Sequence, residues 1–223
     1  MVSDIKICGL KTSDAFDRAI ERGADYIGFI FFEKSPRNIG LAEAGALADR
    51  ARGKVKIVAV TVDADNELLE DIIAFVKPDM LQLHGHESPE RVLTIKAVFG
   101  LPVMKAFSIR SADDLRALEA YDGLADRYLL DAKAPAGSVL PGGNGVSFDW
   151  TILAALDDGV DYMLSGGLNK DNVAFALSGT RATGIDISSG VESEPGVKDL
   201  QMIDAFFDAI AQARSVDAAD RKE

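Results

Sequence analysis

The sequence holds one cysteine and two histidines, His84 and His86, among 223 residues. A lone thiol, Cys8, cannot close an internal disulfide, so the chain has no disulfide framework and a reducing, cytoplasmic setting is expected. Two histidines are too few for a histidine-rich metal centre. No apolar run approaches the roughly 20 residues of a membrane span, and no signal-peptide pattern opens the chain. Positive charge is also scarce: 24 Lys and Arg stand against 36 Asp and Glu, a formal net charge of −12. That argues against nucleic acid as a partner, which requires a basic footprint. An anionic small ligand stays open, because one arginine or a few backbone N–H groups suffice locally.

What the chain does have is apolar residues, 48% of the total, in a regular alternation. Short runs at 4–8, 25–31, 55–61, 79–83, 102–107, 127–131, 160–165 and 183–187 read as strands. Between them, amphipathic stretches at 12–22, 41–52, 66–76, 88–98, 111–120, 149–157, 169–178 and 198–212 read as helices. Ser13, Ser88 and Ser111 supply start signals; Gly23 and Gly100, with Pro78 and Pro102 behind two helices, supply stops. Eight βα units in this length call for parallel pairing and fit a closed (β/α)₈ TIM barrel, an α/β fold, better than an open sheet. No linker composition divides the chain, so one catalytic barrel domain is expected over 1–214. The polar residues 215–223, without periodicity, are expected to fray as a tail. The Gly- and Pro-dense segment 132–148 reads as a long, mobile βα loop able to close over a site.

Such barrels build their sites at the C-terminal ends of the strands. Those ends bear Cys8 and Gly9; Ser35-Pro36-Arg37; Gln82-Leu83-His84-Gly85; Asp131 with Lys133 close by; Ser165-Gly166-Gly167; and Asp186 with Ser188-Ser189-Gly190. Each has a plainer reading when taken singly. Cys8 reads as a small buried apolar residue, Asp131 as a loop cap or a partner of Lys133, and Arg37 as a solvated charge. Asp186 could orient a loop, and His84 could satisfy backbone. The glycine-bearing loops at 165–168 and 187–191 are stronger as a pair: on adjacent strands, they suit a phosphate held by backbone N–H groups.

Taken together, the motifs resemble one family. Lys6-Ile7-Cys8-Gly9-Leu10, Gly28-Phe29-Ile30-Phe31 with Ser35-Pro36-Arg37, and Leu81-Gln82-Leu83-His84-Gly85 carry the resemblance in the first half. Leu130-Asp131, Gly142-Gly143-Asn144-Gly145 with Phe148-Asp149-Trp150, Ser165-Gly166-Gly167-Leu168, and Asp186-Ile187-Ser188-Ser189-Gly190-Val191-Glu192 through Pro195-Gly196, Lys198 and Asp199 carry it to the end. In this order they resemble the phosphoribosylanthranilate isomerases of tryptophan biosynthesis. Ala132 and Asn144 depart from the family, where threonine is usual at both places.

The resemblance implies an Amadori rearrangement of a phosphorylated aminosugar, with no cofactor and no metal. It assigns Asp131 as the acid that opens the furanose and Cys8, as thiolate, as the base at C2′. It assigns Arg37 to the substrate carboxylate and the loops with Gly166, Gly167, Ser188, Ser189 and Gly190 to the phosphate, with His84 and Asp186 as further substrate contacts. Asp131 should then sit in apolar surroundings or near another carboxylate, and Cys8 should lose its proton more easily than a free thiol. Lys6 shares the face of Cys8 if the strand is regular. The partner expected is a phosphorylated small molecule, with no membrane contact and the chain as monomer or homodimer. Other readings are another sugar-phosphate isomerase or synthase on the same barrel, or a non-catalytic phosphate-binding protein, which would need neither thiol nor carboxylate.

Overall fold

Each short apolar run forms a strand that pairs with its neighbours in sequence. In the computed structural model, which describes residues 4–135, 137, 138 and 140–220, the strands are β1 Asp4–Cys8, β2 Tyr26–Phe31, β3 Lys56–Thr61 and β4 Met80–Leu83, then β5 Val103–Ile109, β6 Arg127–Ala132, β7 Tyr162–Leu164 and β8 Gly184–Ile187. All pair in parallel, and β8 returns to β1 through Asp4–Gly184 to Ile7–Ile187, closing an eight-stranded barrel. The helices are α1 Ser13–Glu21, α2 Leu41–Ala51, α3 Asn66–Val76, α4 Pro89–Phe99, α5 Val173–Gly179 and α6 Leu200–Asp220. The expected (β/α)₈ TIM barrel is therefore the fold observed.

Local chemistry sets the helix limits. The Asp65 carboxylate accepts from Leu68 N–H at the start of α3, and the Ser88 hydroxyl from Arg91 N–H at the start of α4, where Pro89 takes a first-turn position that needs no N–H. Left-handed Lys77 and Gly100 end these two helices. Between the strands and the helices lies the main core, with Ile7, Phe16, Ile27, Phe29, Leu81 and Phe206 among its fully enclosed members. The alternate strand positions face the barrel axis, where Cys8 packs with Tyr26, Val58 and Val60.

Three expectations change. The segments after β5 and β6 are 3₁₀ helices, Ala112–Tyr121 and Trp150–Ala155, rather than α-helices. Their buried pairs, Leu115 with Leu118 and Trp150 with Leu153, lie three apart, a spacing that 3₁₀ and α turns both accommodate. In α3 the buried Leu69, Ile72 and Val76 alternate three and four apart, as 3.6 residues per turn requires. After β8 comes a 3₁₀ turn, Ser189–Val191, and a small antiparallel pair, β9 Glu192–Glu194 and β10 Val197–Lys198. Finally, α6 continues to Asp220 instead of ending near 212, as its run of alanine with no Gly or Pro favours. Of the frayed tail expected from Ser215, residues 215–220 are thus helical, and 221–223 lie outside the described residues.

Candidate active site

The C-terminal strand ends open into one cavity with about 750 Å³ of empty space, open solvent included, which suits a small-molecule ligand. Cys8, Arg37, His84, Asp131, Gly166, Gly167, Asp186, Ser188 and Ser189 all line it. Gly190 does not: a Cβ there would fall 1.9 Å from the Leu168 carbonyl oxygen, so this glycine lets the loops after β7 and β8 lie against each other.

On the β1 wall the regular strand turns Lys6 and Cys8 to the same side. The Lys6 ammonium, fully buried, donates to Asp186 Oδ1 at 2.8 Å across the β1–β8 pairing. Burial drives this ammonium toward its neutral form, but Asp186 and then Cys8 outweigh burial, and its pKa is raised. Room for the pair comes from Gly28, the β2 partner of Cys8: a Cβ there would stand 2.8 Å from Cys8 Sγ and 3.2 Å from Lys6 Nζ. The thiol does not match its expectation. Burial holds the Cys8 pKa above the ordinary thiol value, and although Lys6 and Lys198 pull it down, Asp186 adds to the rise. Lys6 and Lys198 thus favour the charged form of Cys8, against burial and Asp186.

On the opposite wall, Asp131 is buried at the end of β6. Its Oδ1 accepts from Ala132 N–H at 2.9 Å, and its Oδ2 lies 3.3 Å from His84 Nε2. Its neighbour is thus an imidazole, where apolar surroundings or a second carboxylate were expected. His84 Nδ1 in turn meets Gln82 Nε2 at 2.9 Å. Lys133 is not a partner of Asp131; it reaches Asp114 at 3.1 Å, outside the cavity. The loop after β6 folds over this wall. A Cβ on Gly142 would lie 2.4 Å from Asp131 Oδ2 and 2.8 Å from His84 Nε2, so only a glycine lets the main chain cover the pair this closely. Asn144, one of the two departures from the family pattern, fastens the loop to itself, accepting from Ser138 and donating to Leu140 O. Ala132, the other, lines the cavity.

Arg37 is the third element. Its Nε and Nη2 each donate at 2.8 Å to the two oxygens of Glu192, and Nη2 also reaches Gly143 O at 3.2 Å. This planar fork fixes the guanidinium and leaves Nη1 for a ligand carboxylate. Glu192 also accepts from Lys198 Nζ at 2.6 Å, and Lys198 donates to the carbonyl and hydroxyl of Ser188 at 2.9 and 3.1 Å. Burial lowers the Lys198 pKa to about 8, against the pull of Glu192. For Glu192 burial works the other way, but Arg37 and Lys198 prevail and its pKa is lowered. Gln82, Glu192 and Lys198 were quoted in sequence motifs without a role. The β9–β10 hairpin, whose sequence signal is Pro195-Gly196, brings Glu192 and Lys198 behind the cavity lining, against Arg37 and Ser188.

Comparison with known proteins bears on what this cavity serves. The family model described as N-(5′-phosphoribosyl)anthranilate (PRA) isomerase matches residues 5–209. The chain is 71% identical over 213 residues to the N-(5′-phosphoribosyl)anthranilate isomerase of Rhizobium rhizogenes, covering 96% of each chain. Its fold superposes on the phosphoribosyl anthranilate isomerase of Thermotoga maritima with a TM-score of 0.84 at 33% identity, covering 95% of this chain and 100% of that one. A further phosphoribosyl anthranilate isomerase structure, solved in complex with reduced 1-(o-carboxyphenylamino)-1-deoxyribulose 5-phosphate, matches with a TM-score of 0.81 at 32% identity over 95% and 100% of the two chains.

Proposed function

The chain belongs to the N-(5′-phosphoribosyl)anthranilate isomerase family, and on that premise we propose which residues of its barrel mouth carry the reaction. The reaction is the Amadori rearrangement of tryptophan biosynthesis, from N-(5′-phosphoribosyl)anthranilate to 1-(o-carboxyphenylamino)-1-deoxyribulose 5-phosphate. One observation carries the assignment: an acid at the end of β6, a thiol at the end of β1 and a fixed arginine in the loop after β2 line one cavity together with two glycine-bearing loops.

Asp131 protonates the furanose ring oxygen as the C1′–O bond breaks and the nitrogen lone pair forms the C1′=N bond. Cys8, as thiolate, then takes the C2′ proton; the electron pair closes C1′=C2′ and neutralises the nitrogen. Loss of the O2′ proton and protonation at C1′ give the ketone, so no net proton is gained or lost. Arg37, held edge-on by Glu192, receives the anthranilate carboxylate on its remaining edge. The loops with Gly166, Gly167, Ser188 and Ser189 receive the phosphate on backbone N–H groups. Lys6 and Lys198 favour the charged form of Cys8, and Asp186 holds Lys6. Because only the thiolate fraction acts and burial keeps it small, kcat/KM climbs with pH on the acid side of the profile. Every residue used comes from one barrel, so a monomer and a homodimer serve equally. The unpaired thiol fits a cytoplasmic setting, and among the described residues no helix is long and apolar enough to cross a membrane.

The test is steady-state isomerase kinetics. Cys8→Ala and Asp131→Asn should each lose kcat by about 10³-fold while still binding the reduced product analogue, and Arg37→Ala should act mainly on KM. Near-normal turnover in either of the first two variants would remove that residue from the acid–base pair.

A further inference from the structure

The wall that carries the acid contains an atom that no partner explains. Gln82 is fully buried, and among the described residues its amide oxygen Oε1 has no hydrogen-bond donor, while its Nε2 donates to His84 Nδ1 at 2.9 Å. With Nδ1 accepting, the proton of a neutral imidazole lies on Nε2, the ring nitrogen 3.3 Å from Asp131 Oδ2. That arrangement suits Asp131 as a carboxylate. It does not suit Asp131 as an acid about to donate, since a protonated Oδ2 facing Nε2–H would set two donors against each other.

Turning the Gln82 amide over removes the conflict. Oε1 then accepts from Nδ1–H, and Nε2 is free to accept the Asp131 proton or, as imidazolium, to donate to the carboxylate. The hydrogen bond between amide and ring is kept with its direction exchanged. One amide atom already lacks a partner in the present orientation, so the reversal sacrifices no hydrogen bond. The two orientations match two proton counts on the His84–Asp131 pair.

We propose that His84 and Gln82 are positioning residues that hold and register the proton of the acid: during turnover Gln82 Oε1 accepts from Nδ1–H while Asp131 and His84 share one proton that is given to and recovered from the substrate, and the amide turns over only when the free pair loses a proton to solvent and the remaining ring proton exchanges through solvent onto Nε2. This rests on the assignment of Asp131 as the acid. The proton goes from the pair to the ring oxygen as the C1′–O bond breaks, and the pair recovers one from O2′–H as the ketone forms. The other charged groups nearby are already engaged, which leaves the pair to exchange with substrate: Lys6 with Asp186, Arg37 and Lys198 with Glu192, Lys133 with Asp114. Lys105, on the far side of β5, is bound to Glu87 and to the carbonyls of Leu83 and Gly85, which braces the loop that follows His84. The Gly142 main chain closes the pair from above.

With only two histidines, one of them the exposed His86, ¹⁵N-histidine labelling reads the ring of His84 directly in the wild-type protein. Its proton should move between Nε2 and Nδ1, or occupy both, over the pH range in which kcat changes. A ring fixed in one state across that range overturns the proposal. In kinetics, Gln82→Met should lower kcat about 10-fold and His84→Asn about 10²-fold, each with KM within about 3-fold. Gln82→Glu, of the same shape but able as a carboxylate only to accept, should hold the ring with its proton on Nδ1. It should raise the ratio of kcat at about pH 9 to that at about pH 7, whereas Gln82→Met lowers it. Equal loss at every pH in both variants would mean a packing role and overturn the relay. Should Asp131→Asn retain turnover, the acid assignment itself fails; if Asp131→Asn is inactive and His84→Asn is normal, only this relay fails.

Discussion

The two ends of the barrel use carboxylates in opposite ways. At the N-terminal end, Asp25, Asp79 and Asp126 each stand just before an even-numbered strand and make the same reciprocal clamp. The carboxylates accept from Ile5, Ile57 and Val103 N–H at 2.8, 2.7 and 2.8 Å, and the Asp N–H groups donate back to the carbonyls of the same residues at 2.9, 2.8 and 2.8 Å. All three are exposed and bound to main chain, and Asp126 also accepts from the surface Lys96 Nζ at 2.7 Å. At the C-terminal end, Asp131, Asp186 and Glu192 are buried and face other side chains: an imidazole, an ammonium, and a guanidinium with an ammonium. A carboxylate tied to backbone N–H groups has one arrangement and stabilises it. A carboxylate tied to another titratable or ligand-binding group has states to exchange, and that is what a reaction needs.

The contrast breaks hardest at Gly142. Its main chain covers Asp131 and His84 only because it has no Cβ, so Gly142→Ala should push the loop outward, admit water to the acid and lower kcat/KM by about 10²-fold. Because the loop contributes little to the core, the melting temperature should stay within a degree or two of wild type. A large fall in melting temperature with intact kcat would show that the loop is a structural element and dissolve the distinction.

The barrel was legible in the sequence because period-2 and period-3.6 patterns alternate eight times. The two 3₁₀ segments were not, since buried pairs three apart, such as Leu115 and Leu118, fit both helix types over so short a span. At the site, Cys8, Arg37 and Asp131 could be read from their motifs at strand ends. The residues that set their properties could not. Gln82 looks like one more polar residue within β4, and its relation to Asp131 depends on β4 and β6 flanking β5 in the closed barrel. Glu192 and Lys198 reach the cavity-lining Arg37 and Ser188 through a hairpin that spans residues 192–198. The direction of the Cys8 shift was misjudged for the same reason: burial is a property of the whole barrel, and two adjacent cations were not enough to overcome it.

At the other end, the clamps should affect stability alone. Asp25→Ala, Asp79→Ala and Asp126→Ala each remove one carboxylate–N–H bond at a strand start, at a cost of about 1 kcal/mol each by analogy with helix caps. The sites are spread around the barrel with no shared partner, so the losses should add in the triple variant, read by chemical denaturation. kcat and KM should match wild type. A clamp variant that loses activity out of proportion to its stability would join the two ends that the comparison separates.

Asp114 sharpens the comparison by showing that the barrel end is not what matters. It lies on the catalytic side, in the first turn of the 3₁₀ helix after β5, yet its Oδ2 accepts from the N–H groups of Arg110 and Ser111, each at 2.9 Å, as the N-terminal clamps do. Burial pushes its pKa up, but these backbone bonds and then Lys133 prevail, and the pKa falls to about 2. The sign follows. A carboxylate whose folded pKa lies below its unfolded value binds more protons when unfolded, so its contribution is full above about pH 4 and is lost as the pH falls toward about 2. Lys133 is half exposed and Asp114 itself partly so, which discounts the ionic share and leaves a total of about 1 kcal/mol or less. Asp114→Asn should therefore be slightly less stable than wild type at neutral pH, with normal kcat, and the difference should vanish at about pH 2. If the difference persists there, hydrogen bonding by a neutral side chain suffices and the charge of Asp114 is idle. If kcat falls instead, proximity to the mouth governs a carboxylate's role more than the group to which it is bound.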